Sequence, residues 1–374
     1  MRDSKRPVAV VLANSSLGLY RFRAMLISEL VDEYDLVASV PDTEFVAELS
    51  KLGTQIYRID FDRRGLNPFK DIRLLFSYVH LLRQAAPDCV ITYTIKPNVY
   101  GGIACRLCGI RYYCNVTGLG SAFQKSGLLK KLATFLYKIG LKGASAVFFE
   151  NEANMTELID LGVLSEPKAV LLPGAGVDLE EFPYCDYPEE SDRIRFLFIG
   201  RIMKEKGIEE LLQAAQELYR EGYPIELDVV GSFEEDYSVL FSQCEAEGWL
   251  NYYGYQSDVR PFIRSCQCFV LPSWHEGMAN TNLECSAMGR PVITSDIPGC
   301  REAVQPECTG FLCDPHSPAS LKSTMRTFLE LDHRSKTIMG CAARKRMEAY
   351  FDKREVVSRT VAAIHRGLSD GDER

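Results

Sequence analysis

The feature that most constrains this chain is an alternation of short apolar runs with longer amphipathic segments, which occurs twice along the sequence. The runs are rich in Val, Ile and Phe and have the length of buried strands, whereas the segments between them have helical periodicity. This alternation is typical of βαβ units and parallel sheets. The runs predicted as strands lie at 8–13, 36–40, 55–59, 89–93, 113–116, 146–149 and 169–172, and again at 195–199, 226–230, 251–253, 268–271, 291–294 and 310–313. The sequence therefore predicts an α/β protein with two doubly wound, Rossmann-like domains that face a cleft, with chemistry in the loops that follow strands.

The length of 374 residues agrees with two domains, since a domain typically has about 100 to 200 residues. The polar segment 183–193 (PYCDYPEESDR) carries two prolines and has no helical period, so it is predicted to be a linker. We expect an N-terminal domain at 1–182 and a C-terminal domain at 194–374. The last helix is free to pack back on the N-terminal domain.

The formal net charge of −8 argues against nucleic acid as a partner. Within this acidic chain, however, the stretch 89–149 contains eight Lys or Arg residues and no Asp or Glu. Such a stretch indicates an anionic partner, a phosphate or a membrane surface, although basic side chains with half-buried stems around a sheet would give the same pattern.

The 13 cysteines are interpreted as reduced cytosolic thiols, because their number is odd and a chain of this length does not need disulfides. No metal site is expected: Cys105-x-x-Cys108 lacks a second pair of ligands, and the spacing of Cys266-x-Cys268 is too tight for zinc. No run of 18 apolar residues exists that could form a membrane-spanning helix.

The segment 200–207 (GRIMKEKG) follows the first strand of the second half and leads into a helix. It combines Arg201 and Lys206 with the unpaired amides of a helix N-terminus, an arrangement that suits a diphosphate. An ordinary surface loop is the alternative.

The segment 272–284 (PSWHEGMANTNLE) follows another strand and enters another helix. Gly277 permits close backbone approach, and the amides near Met278, Ala279 and Asn280 would form an anion site. Glu276 and Glu284 could accept hydrogen bonds from the hydroxyls of a sugar or ribose. Alternatively, each is a carboxylate favoured by the helix dipole.

Four motifs occur in an order that resembles the retaining glycosyltransferases of family 4, which have the GT-B fold. They are Glu276-x7-Glu284, Arg201-x4-Lys206, 176–178 (GVD), and 289–295 (GRPVITS) followed by Gly299 and Glu302. The first half adds 14–16 (NSS), 20–23 (YRFR), 94–98 (TIKPN) and 117–120 (TGLG), which are similar to the subgroup that extends undecaprenyl-diphosphate-linked sugars in capsule, O-antigen or protein-glycan assembly. The sequence departs from many family members at 115–118 (NVTG), where a His is common, and at His275, where an Arg is common.

The resemblance implies a role for each matching residue. Arg201 and Lys206 would hold the donor diphosphate and stabilise the leaving group without a metal or other cofactor. Glu276 would contact the donor sugar, with the amides of Gly277, Met278, Ala279 and Asn280 beside it. Glu284 would bind the ribose, and Tyr255 would border the base. No catalytic nucleophile is assigned, since the family is thought to react on one face with the leaving phosphate as the base.

Four residues of the first half are predicted to bind the acceptor diphosphate: Gly18, Arg21, Arg23 and Lys96. A helix at 127–142, with Ser126 as its N-cap, would place six apolar side chains on one arc and Lys130, Lys131, Lys138 and Lys142 on another. This helix either contacts an anionic membrane or packs its apolar arc in the core and leaves its lysines in solvent.

The resulting expectation is a cytoplasmic enzyme, peripheral on the inner face of the cell membrane, that moves a hexose or N-acetylhexosamine from a UDP-sugar to a polyprenyl-diphosphate-linked saccharide. A soluble acceptor is the nearest alternative. A nucleotide-sugar epimerase or a dehydrogenase is disfavoured because 14–19 (NSSLGL) is not a Gly-x-Gly-x-x-Gly loop. A non-catalytic binding protein would tolerate loss of Glu276 or Lys206, and the chain retains both.

Overall fold

The computed structural model describes residues 6–369 except 64, 66, 121, 122 and 124–126. The chain divides into two compact units. The first runs to Ala175 and takes in the chain again from Arg354, and the second spans Gly176–Lys353.

The first unit is built on a parallel sheet of seven strands in the order β3-β2-β1-β4-β5-β6-β7. The strands are β1 (Val8–Leu12), β2 (Asp35–Val40), β3 (Gln55–Arg58), β4 (Cys89–Tyr93), β5 (Arg111–Val116), β6 (Ala146–Phe149) and β7 (Ala169–Leu171). The helices are α1 (Ser16–Glu33), α2 (Val46–Lys51), α3 (Pro68–Ala85), α4 (Gly102–Cys108), α5 (Leu128–Leu141) and α6 (Glu152–Asp160). A π-helical turn, Pro97–Gly101, leads into α4.

Local sequence explains where these helices begin. The Oγ of Ser15 caps α1 by accepting from the amide of Gly18 at 3.2 Å. The Oδ1 of Asn67 caps α3, and Pro68 occupies the first turn, where its missing N–H costs nothing. Ser126, the predicted cap of the basic helix, lies outside the described residues, and α5 begins at Leu128.

Side chains alternate along these strands and fill one apolar core on each face of the sheet. Val10 and Val90 point to one face, while Val11 and Ile91 point to the other. The last helix, α13 (Lys353–Ser369), covers this second face, where the hydroxyl of Tyr113 donates to the carbonyl of Ile364 at 2.8 Å. The C-terminal helix therefore belongs to the first unit.

The second unit has a parallel sheet of six strands in the order β10-β9-β8-β11-β12-β13. The strands are β8 (Ile194–Ile199), β9 (Ile225–Val230), β10 (Leu250–Tyr252), β11 (Cys268–Leu271), β12 (Val292–Ser295) and β13 (Gly310–Cys313). The helices are α7 (Ile208–Arg220), α8 (Ser238–Glu247), α9 (Arg260–Ser265), α10 (Asn280–Ala287), α11 (Pro318–Glu330) and α12 (His333–Tyr350). The two doubly wound, parallel-sheet domains predicted from the sequence are thus confirmed.

The division between the units differs from the predicted boundary at 182/183 and from the predicted linker at 183–193. Val177 already belongs to the second unit, because its amide donates to the carbonyl of Phe351 at 2.8 Å. The buried guanidinium of Arg290 donates to the carbonyls of Cys185 and Asp186 at 3.2 and 2.9 Å. These contacts fasten the start of the presumed linker to the second unit, so the boundary moves to 175/176.

Candidate active site

The loops that follow β8, β9 and β10 meet at one edge of the second sheet. The amide of Gly200 donates to the carbonyl of Val230, and that of Gly231 donates to the carbonyl of Gly254. Gly231 has a φ of +149°, and a Cβ there would lie 1.8 Å from the carbonyl oxygen of Gly200. Only glycine fits at such a close backbone approach. The edge is therefore formed by tightly packed loops at the carboxyl ends of the strands, where ligands bind in folds of this type.

The loop that carries Lys206 packs against the loop that follows β11. It forms a 3-10 turn, Lys204–Lys206, and ends at Gly207 with a φ of +71°. A Cβ on Gly207 would lie 2.0 Å from the carbonyl oxygen of Pro272. Across the same junction, the amide of Trp274 donates to the carbonyl of Glu205 at 3.0 Å. Two segments about seventy residues apart in sequence are thereby held side by side.

Lys206 and Glu276 form an ion pair at this junction. Their side chains are 19% and 12% exposed, so the pair is sheltered but open on one side. The Oγ of Ser273 donates to the same carboxylate oxygen of Glu276 at 2.8 Å. The pair places a cation that can bind phosphate beside a carboxylate that can accept from hydroxyls.

The N-terminus of α10 lies next in the chain after this pair. Its N-cap, Ala279, supplies no side-chain cap, and its own amide donates to the carbonyl of Gly299 at 2.7 Å. Gly299 has a φ of +86°, and a Cβ there would lie 2.6 Å from the carbonyl oxygen of Gly277. Among the described residues, no partner is found for the buried Oδ1 of Asn280. The start of α10 is thus held by backbone contacts and offers a favourable end of the helix dipole to an anion.

The other predicted donor residues of this unit lie on neighbouring loops. Arg201 follows β8 with its side chain 46% exposed, and its Nη1 lies 3.3 Å from Oε1 of Glu234. Glu284 is half-buried in α10, and Tyr255 is exposed just after β10. Met278 and Ala279 are buried, so their side chains are not presented to solvent.

Sequence reasoning assigned no role to two residues that organise the site, Ser273 and Glu302. Ser273 orients Glu276, and the Ser-x-x-Glu spacing that also marks capping boxes was an available signal. Glu302 accepts from the amide of Gly299 at 2.8 Å and so supports the loop under α10. Burial raises the pKa of Glu302, while the hydrogen bond from Gly299 and the charge of Arg301 oppose this rise.

His275 stands where an Arg is common in the resembling family. Its Nε2 lies 3.5 Å from Oε2 of Glu205, on the loop of Lys206.

Burial raises the pKa of the Cys300 thiol, and the negative charge of Glu276 adds to this effect, so the thiol stays protonated at neutral pH. Within the described ranges, no three His, Cys, Asp or Glu side chains are grouped so as to hold a metal ion.

The predicted acceptor residues lie near strand ends of the first unit, and two of them already pair with carboxylates. Arg23 is buried against Glu150 at 2.5 Å and stacks 5.0 Å above the ring of Tyr93. Burial raises the pKa of Glu150, and the Arg23 charge opposes this rise.

Lys96 lies 2.7 Å from Asp71 of α3. Gly18 is in the first turn of α1, and Arg21 follows it on the exposed side. Arg21 is therefore the predicted acceptor cation that reaches solvent most directly.

The basic helix α5 is oriented differently from a core-packed helix. Gly140 lets it approach the π-helical turn, where a Cβ would lie 2.6 Å from the Cα of Val99. This contact turns the predicted apolar arc outward, so that Leu128, Leu132 and Phe135 are 84%, 46% and 59% exposed. Leu136 and Ile139 of the same arc are half-buried, so the core-packed alternative does not describe the first half of this helix.

The lysines of α5 separate into two groups. Lys131, Lys138 and Lys142 are exposed beside the apolar arc. Lys130 lies toward the protein, where its Nζ is 2.7 Å from Oε1 of Glu157. The described helices include none long and apolar enough to cross a membrane.

Comparison with known proteins agrees with this geometry. Residues 186–346 match the family model described as glycosyl transferases group 1, and residues 10–151 match the model described as glycosyl transferase 4-like. Among solved structures, Anabaena HepE in complex with UDP and glucose superposes with a TM-score of 0.79 at 17% identity, covering 96% of this chain and 100% of that chain.

Two curated relatives are similar over most of their length. The Campylobacter jejuni N,N'-diacetylbacillosaminyl-diphospho-undecaprenol alpha-1,3-N-acetylgalactosaminyltransferase is 29% identical over 85% of this chain and 88% of its own. The Escherichia coli UDP-Gal:alpha-D-GlcNAc-diphosphoundecaprenol alpha-1,3-galactosyltransferase is 27% identical over 67% of this chain and 68% of its own.

The two parallel-sheet units and the matches that cover them define a glycosyltransferase of the GT-B fold. Its second unit carries the segment that belongs to the glycosyl transferases group 1, and its first unit carries the segment that belongs to the glycosyl transferase 4-like family.

Proposed function

We propose that this enzyme transfers a hexose or N-acetylhexosamine from a UDP-sugar to a polyprenyl-diphosphate-linked saccharide, with retention of the donor's anomeric configuration. Support comes from the family and from relatives whose names state diphospho-undecaprenol acceptors and, in one case, UDP-galactose. The reaction would serve the assembly of a surface polysaccharide or protein-linked glycan.

The observation that carries this proposal is the ion pair of Lys206 and Glu276 beside the N-terminus of α10. A nucleotide diphosphate brings more negative charge to Lys206 than the single carboxylate of Glu276 does. Lys206 would therefore turn toward the diphosphate, and Glu276 would be released to accept from a sugar hydroxyl. Ser273 keeps hold of Glu276 during this exchange, so the carboxylate stays oriented.

The remaining donor contacts follow from their places at the same sheet edge. Arg201, on the loop after β8, would add a second cation to the diphosphate, and the amides from Gly277 to Asn280 would add hydrogen bonds. Glu284 would bind the ribose hydroxyls, and Tyr255 would border the base. Two cations and a helix N-terminus stabilise the departing diphosphate without requiring a metal ion.

Retention of configuration would arise on one face of the donor sugar. Glu276, held by Ser273, is committed to a sugar hydroxyl, so we assign no covalent nucleophile. The acceptor hydroxyl would attack the anomeric carbon on the face from which the diphosphate leaves. The leaving phosphate would take the proton of that hydroxyl, and the new glycosidic bond would form as the sugar–phosphate bond breaks.

The lipid-linked acceptor places the reaction at a membrane surface. We propose that α5 contacts this surface, with Leu128, Leu132 and Phe135 at the level of the headgroups and Lys131 and Lys138 on anionic lipid. The contact would be peripheral and on the cytoplasmic side, where nucleotide sugars are available. Arg21, Gly18 and Lys96 would lie toward the acceptor diphosphate.

Calorimetric binding against UDP-, GDP-, ADP- and dTDP-sugars tests the donor half of the proposal. Selective binding of a UDP-sugar, lost in Glu284→Ala, is the expected result. Binding that is unchanged in the variant would refute the ribose contact, and absence of any nucleotide-sugar binding would refute the donor site.

Transfer to a lipid-diphosphate acceptor and to the same saccharide without its lipid tests the acceptor half. The expected result is a strong preference for the lipid-linked form. Equal rates with both acceptors would favour a soluble substrate instead.

A further inference from the structure

A cavity of about 800 Å³ opens in the first unit between the end of β3 and α3, away from the residues discussed so far. Three cationic side chains from its two walls line it, Arg58 from the strand and Lys70 and Arg73 from the helix, together with the imidazole of His80. The opposing charges come from Asp60 and Asp62 on the loop wall. The helix wall of the cavity is therefore positively charged.

The outer face of α3 carries an apolar stripe directly beside this cavity. Phe69, Ile72 and Phe76 are 84%, 51% and 67% exposed, and their spacing places them on one face of the helix. Phe76 also lines the cavity. Large apolar side chains exposed in a continuous stripe mark an interaction surface.

The charges on the helix are sorted around this stripe. At 100° per residue, Arg73 falls next to Phe69, and Lys70 falls further toward the cavity. The acidic residue of this part of the helix, Asp71, faces the opposite way and is buried with Lys96 and Tyr100. An apolar stripe edged by cations fits the headgroup region of an anionic bilayer.

We propose that the cavity beside α3 binds the headgroup of an anionic phospholipid, while Phe69, Ile72 and Phe76 insert among the neighbouring acyl chains. The inference deepens the proposed function, on which it rests, because it gives the membrane-bound enzyme a second attachment besides α5. Both helices pack against the segment from the π-helical turn to α4, so they belong to one layer of the first unit. Two attachments in one layer would fix the tilt of this unit on the membrane.

The position of the cavity distinguishes this lipid from the acceptor. β3 is the edge strand, and β2 and β1 separate it from β4. The predicted acceptor residues lie on the segments that follow β1 and β4, Arg21 in α1 and Lys96 just before the π-helical turn. An acceptor diphosphate held in the cavity would lie away from those residues. A bulk phospholipid can occupy the cavity without competing with the acceptor for its own site.

Flotation of the full chain with phosphatidylcholine vesicles, with and without phosphatidylglycerol, tests the proposal. Each basic side chain near an anionic surface contributes about fivefold to partitioning, so Lys70→Ala with Arg73→Ala should weaken binding to phosphatidylglycerol vesicles roughly 25-fold. Lys70→Arg with Arg73→Lys should retain wild-type binding. Phe69→Ser with Phe76→Ser should weaken binding to both kinds of vesicle.

A matched control lies on α12, where Ile338 is 58% exposed and Arg334 is also exposed. Arg334→Ala with Ile338→Ser should leave flotation unchanged. Equal losses in this control and in the α3 variants, or wild-type flotation of the α3 variants, would overturn the proposal. So would binding of inorganic phosphate that is lost in Lys70→Ala with Arg73→Ala while flotation shows no dependence on phosphatidylglycerol, because the ligand of the cavity would then be a free anion.

Transfer to a detergent-solubilised acceptor separates this proposal from the proposed function. The α3 variants should keep wild-type turnover in detergent, since these residues lie outside the proposed donor and acceptor contacts. Absence of transfer by the wild type in detergent would refute the proposed function, and the flotation result would still decide the lipid site by itself. Lost turnover of the α3 variants in detergent would overturn the assignment to bulk phospholipid.

Discussion

Replacing Lys206 by Ala tests the diphosphate contact most directly. The substitution removes the cation from a sheltered ion pair in which Lys206 is 19% and Glu276 is 12% exposed. Loss of a charged hydrogen bond at such a site costs about 1–3 kcal/mol of folding stability. Loss of a donor that stabilises developing charge in the transition state costs about 2.7–4 kcal/mol, or 100- to 1,000-fold in kcat. Turnover should therefore fall about 100- to 1,000-fold in a variant that stays folded, because a loss of about 1–3 kcal/mol is less than the usual stability of about 5–15 kcal/mol.

The assay is the rate of sugar transfer to a lipid-diphosphate acceptor, measured beside the Tm of each variant. Lys206→Arg keeps the charge and should retain part of the activity. Lys206→Ala combined with Glu276→Gln removes the carboxylate charge that the single variant leaves unpaired, so the Tm should recover while transfer stays low. Wild-type turnover of folded Lys206→Ala would refute the phosphate role, and recovery of turnover together with Tm in the double variant would show that the pair is structural.

Three further predictions concern the supports of the two sites. Arg23→Met should lower the Tm by leaving the buried Glu150 carboxylate unpaired, a loss of about 3–5 kcal/mol in a buried pair, and adding Glu150→Gln should restore it; an unchanged Tm in the single variant would argue against the pair. Gly299→Ala should reduce transfer because its Cβ would meet the carbonyl of Gly277 at 2.6 Å. The control Gly248→Ala has the same φ of +86° and no neighbour within 4 Å, so it should lower stability without reducing transfer. Equal effects of the two substitutions on transfer would contradict this reasoning. Burial raises the pKa of Glu302, so the folded state holds the proton of this carboxyl more tightly than the unfolded state does. Stability should therefore fall as the pH rises from about 4.5 through that raised pKa, and the Tm of Glu302→Gln should not show this fall. A parallel pH profile in the variant would assign the fall to another group.

The sequence by itself determined the strands and helices and the residue types that the loops after the strands carry. Strand and helix periodicity are local properties of the sequence. The predicted runs at 8–13 and 195–199 therefore agree with the observed strands Val8–Leu12 and Ile194–Ile199 to within one residue at each end. Because parallel strands bring their carboxyl ends to one edge of the sheet, the loops after strands are where a site is expected. Arg201, Lys206 and Glu276 could therefore be proposed as donor-site residues without coordinates.

Local periodicity did not give the boundary between the units. The segment 183–193 has the composition of a linker, yet Arg290, more than a hundred residues further along, binds its first carbonyls. The orientation of α5 was likewise undetermined, because its apolar arc fits a core or a membrane equally well. Gly140, by admitting close contact with the π-helical turn, decides which arc faces outward.

Only the tertiary structure decided which charges are paired. Arg23 and Glu150 are 127 residues apart, and Lys206 and Glu276 are 70 apart, so no sequence pattern relates them. The former pair is buried inside the first unit, while the latter is open on one side at a strand edge. A cation near a strand end is thus a structural partner in the case of Arg23 and a ligand-binding candidate in the case of Lys206. The reason is that packing, and not the order of residues, fixes how deeply each cation is buried and which carboxylate lies nearest to it.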